Sequence, residues 1–398
     1  VTFGDAMNIV HVIPAFTKGG GERVAVDLAN HAAAHGHRVT FVAAFPVDPG
    51  LLLHALREDV DVRYVASAAD GSLLRYAKLL PWLLRNRRWL GEQDVVHCHL
   101  TFGAAFGAIA WALRRLRRGC RPAIVETYHA VGMPIPRLHR WIHARLLSLR
   151  DGIAMMADDP YWRNFVRSRR AIPSALIPNG IEVDRAPVAP EDGRAYRREA
   201  GLPLPPALVL GSVGRLVPAR RPDLLVETFA AVAEQAGPGV AFLLAGDGPE
   251  REAVTSLIAA RGLEGRARLP GMVMRPALAF SAIDLYLTVN VGPITGVAAL
   301  EAAASGLPVI AVQLLDDHEP SGEDWIWSSR DPAAVASEAV RLLEDADARA
   351  ALAARQSRHV REHFTAEAMA LRYEALYSAA RAAAAGANPP GSKDMSCP

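Results

Sequence analysis

Short runs of Val, Ile and Leu alternate with helical stretches along this chain, and the alternation begins twice. Asn8–Ile13 (NIVHVI) reads as a buried strand, Pro14–Gly21 (PAFTKGGG) as its loop, and Glu22–Gly36 as a helix with Val24, Leu28 and Ala32 on one face. Further strands are expected at His37–Phe45, Val60–Val65, Asp94–Leu100, Ala123–Tyr128, Gly152–Met156 and Ala175–Ile177. The rhythm restarts at Ala207–Val213 (ALVLGSV) and continues through Val240–Ala245, Arg266–Leu269, Asp284–Asn290, Leu307–Val312 and Trp325–Trp327. Strands separated by helices return to a sheet by crossover, which makes them parallel and covers both faces. The expected class is therefore α/β: two Rossmann-like, doubly wound parallel-sheet domains facing a cleft, lined by loops at the carboxyl ends of the strands. A length of 398 residues suits two cores better than one.

The Pro- and charge-rich stretch 185–206 reads as the crossing, giving domains 1–188 and 189–365. A C-terminal helix, 366–386, is expected to pack back across the domains, and 387–398 to form a disordered tail. A formal net charge of +2 gives no global reason to expect nucleic acid as a partner. Cys98, Cys120 and Cys397 have no paired spacing, which argues against a disulfide framework. The opening residues lack a signal-peptide pattern, and the longest weakly polar run, Phe102–Leu113, is too short to span a bilayer. A cytoplasmic location is expected.

Chemistry-bearing residues cluster on the loops. Pro293–Val312 (PITGVAALEAAASGLPVIAV) sits between two strands, with Gly296 at the start of a helix whose only ionisable side chain is Glu301. Such a helix start can hold an anion, and Glu301 reads either as a ligand-facing carboxylate or as a solvated surface group. Gly19–Gly21 precede Glu22 without the spacing of a P-loop or a dinucleotide fingerprint. Arg215, with Arg220 and Arg221 after it, suits a diphosphate or plain solvent. Gly246–Pro249 (GDGP) reads as shaping the neighbouring loops. His97 and His99 share a strand face, yet no carboxylate or Cys joins them at a usable offset, so no metal site is expected. His129 precedes an irregular stretch containing Gly132 and Pro134.

Taken in order, NIVHVIPAFTKGGGERVAVDLA, GHRVTFV, DVVHCHL, VETYH, ALIPNGIEVDR, GSVGRLVPARRPDLLVETFA, FLLAGDGPE and ALEAAASGLPVIA resemble the retaining glycosyltransferases of family four, group 1 type, which have the GT-B fold. The resemblance covers about residues 7–375. It implies transfer of a sugar from a UDP-, GDP- or ADP-type nucleotide-sugar donor to an acceptor, with retention, without a metal and with no cofactor. Carried over, Arg215 and Arg220 would hold the diphosphate, the latter where the family usually has Lys. Gly20 would lie near the phosphates and His129 near the reacting centre. Gly296, Val297 and Ala298 would present the helix start, Glu301 would bind the ribose, and Val273, after Met272, would lie against the base. His129, Arg215 and Arg220 are thus the expected catalytic residues.

One motif position departs from the pattern. The family has two glutamates flanking this loop, and the first falls on Pro293, which offers neither an acceptor side chain nor an N–H. A non-catalytic nucleotide-sugar-binding relative, or a partner subunit, is therefore the alternative to an enzyme; a sugar-nucleotide epimerase or a phosphorylase is a further one. The first domain carries Arg85–Trp89, Arg114–Arg118 and Arg167–Arg170 beside Trp82, Trp111, Trp141 and Trp162. These suit either a solvated basic face or an anionic membrane surface. On the second reading the acceptor would be lipid-linked, as in surface-polysaccharide assembly, and the protein peripheral at the inner face of the membrane; otherwise the acceptor is a saccharide.

Overall fold

The computed structural model describes residues 5–17, 19–47, 52–114, 122–129, 137–156, 172–183, 188–205, 207–290, 296–313, 327–329 and 331–386. Two compact units result: Val1–Gly180 with Ala366–Pro398, and Ile181–Thr365.

The first unit holds a parallel sheet of seven strands. These are β1 (Asn8–Ile13), β2 (Arg38–Ala43), β3 (Asp61–Tyr64), β4 (Val95–His99), β5 (Ala123–Tyr128), β6 (Gly152–Met155) and β7 (Ser174–Leu176), in the order β3-β2-β1-β4-β5-β6-β7. The order reverses direction between β1 and β4, so the loops leaving these two strands open at the switch point where doubly wound sheets take ligands. Val10, Val12, Val42, Val96, Cys98 and Ile124 build an apolar core on one face. The alternate residues of β1, β4 and β5 include His11, His97, His99 and Thr127, all buried, and the register sets His11 opposite His97. A buried polar face needs partners. The helix Ala366–Ala384 supplies them, burying Tyr373 and Tyr377.

The second unit repeats the plan with β8 (Leu208–Val213), β9 (Val240–Ala245), β10 (Ala267–Arg268), β11 (Leu285–Asn290), β12 (Val309–Gln313) and β13 (Trp327–Ser329), in the order β10-β9-β8-β11-β12-β13. Its two faces follow the two-residue period of the strands. Val240, Phe242 and Leu244 of β9 enter one apolar cluster, and Ala241, Leu243 and Ala245 the other. The switch point lies between β8 and β11, so Arg215 follows one flanking strand and the Gly296 helix follows the other.

Several expectations are corrected. The stretch 185–206 is not merely a crossing: Pro190–Glu199 is a helix with Pro in its first turn, Glu191 and Asp192 at its start and Arg197 and Arg198 at its end, each placement favourable to the helix dipole. Arg197 is buried because it donates to the carbonyls of Ala282 and Ala207 and to Asp284. The units divide at Gly180/Ile181 rather than at 188/189, since Ile181 donates its N–H to Phe364 and bridges Thr365 within the second unit. The first helix begins at Gly20, inside the expected glycine loop. The expected tail 387–398 lies outside the described residues.

Candidate functional site

The candidate residues form two groups, one in each unit. In the second unit, the loop after β8 is clamped by the GDGP turn. Gly214 donates to Ala245 O at 3.0 Å, Leu216 to Asp247 O at 2.9 Å, and Glu250 to Leu216 O at 3.1 Å. A Cβ on Gly246 would lie 1.7 Å from Gly214 O, and one on Gly248 would lie 2.2 Å from Leu216 O, so only glycine permits this approach. The clamp fixes the backbone on either side of Arg215, whose side chain is exposed. Arg220 ends a short 3-10 turn, Pro218–Arg220. Arg221 then takes φ 45°, the left-handed region, and caps the helix Pro222–Ala236.

That turn aims Arg220 at the second motif. Its Nη1 stands 3.2 Å from where a Cβ of Gly296 would be. Gly296 is the N-cap of the helix Val297–Ala304, so a guanidinium and a helix start adjoin. The first amides of a helix, here including Val297 and Ala298, have no intrahelical acceptor. Glu301 is half-buried on the same helix. Tyr286 of β11 ties the group together, although nothing in its strand pattern marked it beyond a phenol amid apolar residues. Its buried hydroxyl donates to Val213 O at 3.0 Å and lies 3.3 Å from Val213 N. Desolvation pushes this phenol up to about 12, opposed by the Val213 and Ser212 hydrogen bonds and Arg220, and reinforced by Glu301. Desolvation of the Arg220 guanidinium lowers its pKa, with Tyr286 opposing and Arg215 adding to the shift. Arg215, Arg220, Tyr286 and Glu301 thus share one electrostatic neighbourhood. Val273 packs with Val297 and Ala298 against the same apolar cluster, while Met272 and Met274 on either side are 59% and 68% exposed. Pro293 and Thr295 lie outside the described residues.

In the first unit the glycine run and His129 come together, through Gly21 rather than Gly20. A Cβ on Gly21 would lie 3.3 Å from both His129 Nδ1 and Leu100 Cδ2, whereas Gly20 is exposed with nothing near it. The Glu22 carboxylate, bonded by the Thr17 hydroxyl at 2.7 Å, crowds Gly19, so this helix start already carries a negative charge. His129 is half-buried; desolvation lowers its pKa to about 4 against the opposing charge of Glu126. Glu126 is itself held in a buried ion pair by Arg150, whose Nε donates at 2.8 Å.

Behind His129 lies what the sequence did not reveal. His129 Nε2 meets His99 Nδ1 at 3.2 Å, and His99 Nε2 meets His11 Nδ1 at 3.1 Å. His97 bonds the Tyr377 hydroxyl and Thr127 Oγ1, each at 2.7 Å, and Thr127 bonds Tyr373 at 2.8 Å. Burial lowers the pKa of His11 to about 3 and of His97 and His99 well below the ordinary value. Ligand nitrogens of His11, His97 and His99 lie within 4.8 Å of one another, so His11 supplies the third imidazole that strand spacing alone did not offer. Both nitrogens of His97 and of His99 are already hydrogen-bonded, and a metal would have to displace those bonds.

Comparison with known proteins follows the same two-part division. The model described as Glycosyltransferase Family 4 matches residues 18–185, and that described as Glycosyl transferases group 1 matches 207–345. The 2-deoxystreptamine glucosyltransferase of Streptomyces kanamyceticus is 32% identical over 139 residues, 34% of this chain and 35% of that protein. The D-inositol 3-phosphate glycosyltransferase of Corynebacterium efficiens is 26% identical over 322 residues, 75% of this chain and 74% of its own length. Among solved structures, Anabaena HepE in complex with UDP and glucose superposes with a TM-score of 0.76 at 19% identity, covering 94% of this chain and 99% of that one. WaaG, a glycosyltransferase involved in lipopolysaccharide biosynthesis, does so with a TM-score of 0.65 at 16% identity, covering 92% and 98%. The chain belongs to glycosyltransferase family 4, group 1 type, with the two parallel α/β sheets of the GT-B fold.

Proposed function

We propose that this chain is a retaining glycosyltransferase that moves a sugar from a nucleotide-sugar donor to an acceptor without a metal. The observation that carries the reading is the placement of the Arg220 guanidinium against Gly296 at the head of the helix bearing Glu301. A diphosphate is the ligand such a pair suits: Arg offers a planar fork of donors and the helix start offers amides. Glu301 accepts from the ribose hydroxyls, and Val273 with Met272 lies along the base. His129, beside Gly21, contacts the donor sugar.

The acceptor oxygen bonds to the anomeric carbon on the face that the diphosphate leaves. The carbon–oxygen bond to the phosphate breaks, and the acceptor's hydroxyl proton passes to the departing phosphate oxygen. Charge builds on the leaving diphosphate, where Arg215, Arg220 and the helix amides stabilise it, the role a metal plays elsewhere. UDP leads the donors to test because HepE was crystallised with UDP and with UDP-glucose. The acceptor is a saccharide or a lipid-linked intermediate. D-inositol 3-phosphate and 2-deoxystreptamine, named for two relatives, join the acceptor panel.

The second reading, a nucleotide-sugar binder without turnover, rests on Pro293 in place of a carboxylate. Thermal unfolding with UDP, GDP, ADP and their sugars separates these. A ligand at a hundredfold its dissociation constant adds about 2.7 kcal/mol through linkage. Stabilisation by one nucleotide family, lost in Arg215→Ala and Glu301→Ala, is expected, together with turnover of its sugar. Stabilisation without transfer to any acceptor, or hydrolysis, would favour the binder; no stabilisation by any nucleotide would overturn both.

A further inference from the structure

A cavity of about 340 Å³ opens in the first unit at the carboxyl end of β3, outside the groups around Arg220 and His129. Tyr64 and Ser67 come to it from the strand end, and Lys78, Pro81, Trp82 and Arg85 from the helix Leu79–Arg85 and the residue before it. Its wall is fixed. Trp82 Nε1 donates to Tyr64 O at 3.1 Å, and its ring meets Trp89 edge-on at 6.1 Å between centroids and Phe106 at 5.9 Å. Asp70 Oδ2 gathers the Ser67 amide at 2.7 Å, the Ser67 hydroxyl at 3.0 Å and Lys78 Nζ at 2.6 Å, which ties the loop after β3 to the start of the helix. A site already in shape loses little conformational entropy on binding. Its charge is one-sided. From Gly71 to Gly91 the chain carries Arg75, Lys78, Arg85, Arg87 and Arg88 and no acidic residue. Asp70 offsets one cation, but Lys78 keeps two further ammonium protons to donate, and Arg85 is exposed with no hydrogen bond or ion pair among the described residues.

We propose that this cavity is a binding site for a phosphate-bearing monosaccharide, with Arg85 and Lys78 on the phosphate, Ser67 on a ring hydroxyl and the sugar lying against Pro81 and Trp82. A phosphate monoester carries close to two negative charges near neutral pH, which matches two cations, and Arg offers it a planar fork of donors. The volume is at the low end of the range of about 300–1,000 Å³ for small-molecule sites, so it suits one sugar unit better than a whole nucleotide sugar. The cavity lies on the carboxyl edge of the same sheet whose β5 ends at Tyr128, directly before His129. That the bound sugar phosphate is the acceptor of the transfer rests on the function proposed above; the binding itself does not.

The test is titration calorimetry of the full chain without nucleotide, using glucose 1-phosphate, glucose 6-phosphate and mannose 6-phosphate, with glucose and inorganic phosphate as partial ligands. A saturable response to a sugar phosphate is expected, about tenfold tighter than to either partial ligand. Arg85→Ala, a change at an exposed side chain whose folding is checked by urea unfolding, should weaken it about tenfold, the loss of one charge-assisted contact; Arg85→Lys should weaken it less. Arg215→Ala should leave it unchanged, which separates the cavity from the cations of the second unit. The Trp82 indole N–H, assigned in proton–nitrogen spectra by its loss in Trp82→Phe, should shift during the titration. No response to any of the sugar phosphates, or one that Arg215→Ala abolishes and Arg85→Ala spares, overturns the proposal. So does binding to anionic vesicles without any response to the soluble phosphates, which would assign these cations to a lipid surface. With a working transfer assay, Arg85→Ala should raise KM for a phosphorylated acceptor and leave KM for the donor unchanged. A chain that binds a sugar phosphate here yet transfers nothing would keep the site and remove the enzyme reading.

Discussion

Single residues set this site by what they leave out. Among the described residues only Leu100 and Arg221 are non-glycines at positive φ, and each directly follows a candidate residue, His99 or Arg220. A Cβ in that region costs about 1–2 kcal/mol, a strain that persists where the surroundings over-determine the backbone. Glycine does the complementary work. In Gly246→Ala the new methyl would meet the Gly214 carbonyl, which cannot swing aside as a side chain can. The variant is expected to lose roughly 1–3 kcal/mol in urea unfolding and to lose its response to nucleotide, although it alters no group that touches a ligand. Gly296→Ala is the gentler case, because its neighbour at 3.2 Å is the end of a flexible arginine. Stability should fall by roughly 0.5–1 kcal/mol, because Gly caps a helix much better than Ala, while nucleotide affinity falls about tenfold, or about 1.4 kcal/mol of binding, as Arg220 is pushed from the helix start. Titration calorimetry beside unfolding curves reads both quantities.

At the scale of elements, two helical segments behave differently from their sequence signals. The arginine–tryptophan clusters suited either a solvated basic face or a lipid surface; in the structure the Trp82 ring packs against Trp89 and Phe106 and donates to Tyr64 O, and Trp111 is buried. The apolar groups that do reach solvent are leucines of the helices Ser72–Ala77 and Leu79–Arg85, with Leu73 88% exposed and Leu74, Leu80 and Leu84 also exposed. Arg85, Arg87 and Arg88 are exposed beside them. No helix among the described residues is long and apolar enough to cross a membrane. Membrane association, if the acceptor is lipid-linked, is expected through this face: co-sedimentation with anionic vesicles should fall in Leu73→Glu/Leu80→Glu and be weak with zwitterionic vesicles. The helix Ala366–Ala384 is the other segment. It sits on the first unit with His37 bonded to Glu374 at 2.9 Å and Arg381 paired with Asp94. Tyr377→Phe leaves a buried His97 nitrogen without its partner and is expected to cost about 1–3 kcal/mol, measurable by chemical denaturation.

For the molecule as a whole, the buried imidazoles make the first unit acid-sensitive. Desolvation lowers the pKa values of His11, His31, His97, His99 and His129, all in this unit, so the folded protein keeps them neutral. The unfolded chain protonates them as pH falls through about 6.5. Below that value the unfolded state binds more protons, and stability is lost as pH drops toward the depressed values. Each fully buried histidine contributes about 1.4 kcal/mol per pH unit in this window. Urea unfolding at pH 7 and pH 5 should show the drop, and His11→Phe should flatten the slope by about one proton. The alternation of strands and helices, the parallel sheets and the placing of Arg215, Arg220, Gly296, Val297, Ala298 and Glu301 on the loops and the helix that follow two strands were legible in the sequence, because period and chain direction are local properties. The Pro190–Glu199 helix was missed because its polar, arginine-rich surface hides a buried anchor, Arg197, whose partners are distant in the chain. The same holds for Tyr286 against Arg220 and Glu301, for Gly21 against His129, and for His11, which lies 88 residues from His99. Tyr377 and His97 are 280 residues apart. Such pairs become neighbours only when strand order and register are set, so the sequence by itself determined the elements and the motif loops, and the assembled sheet alone decided which side chains share a proton.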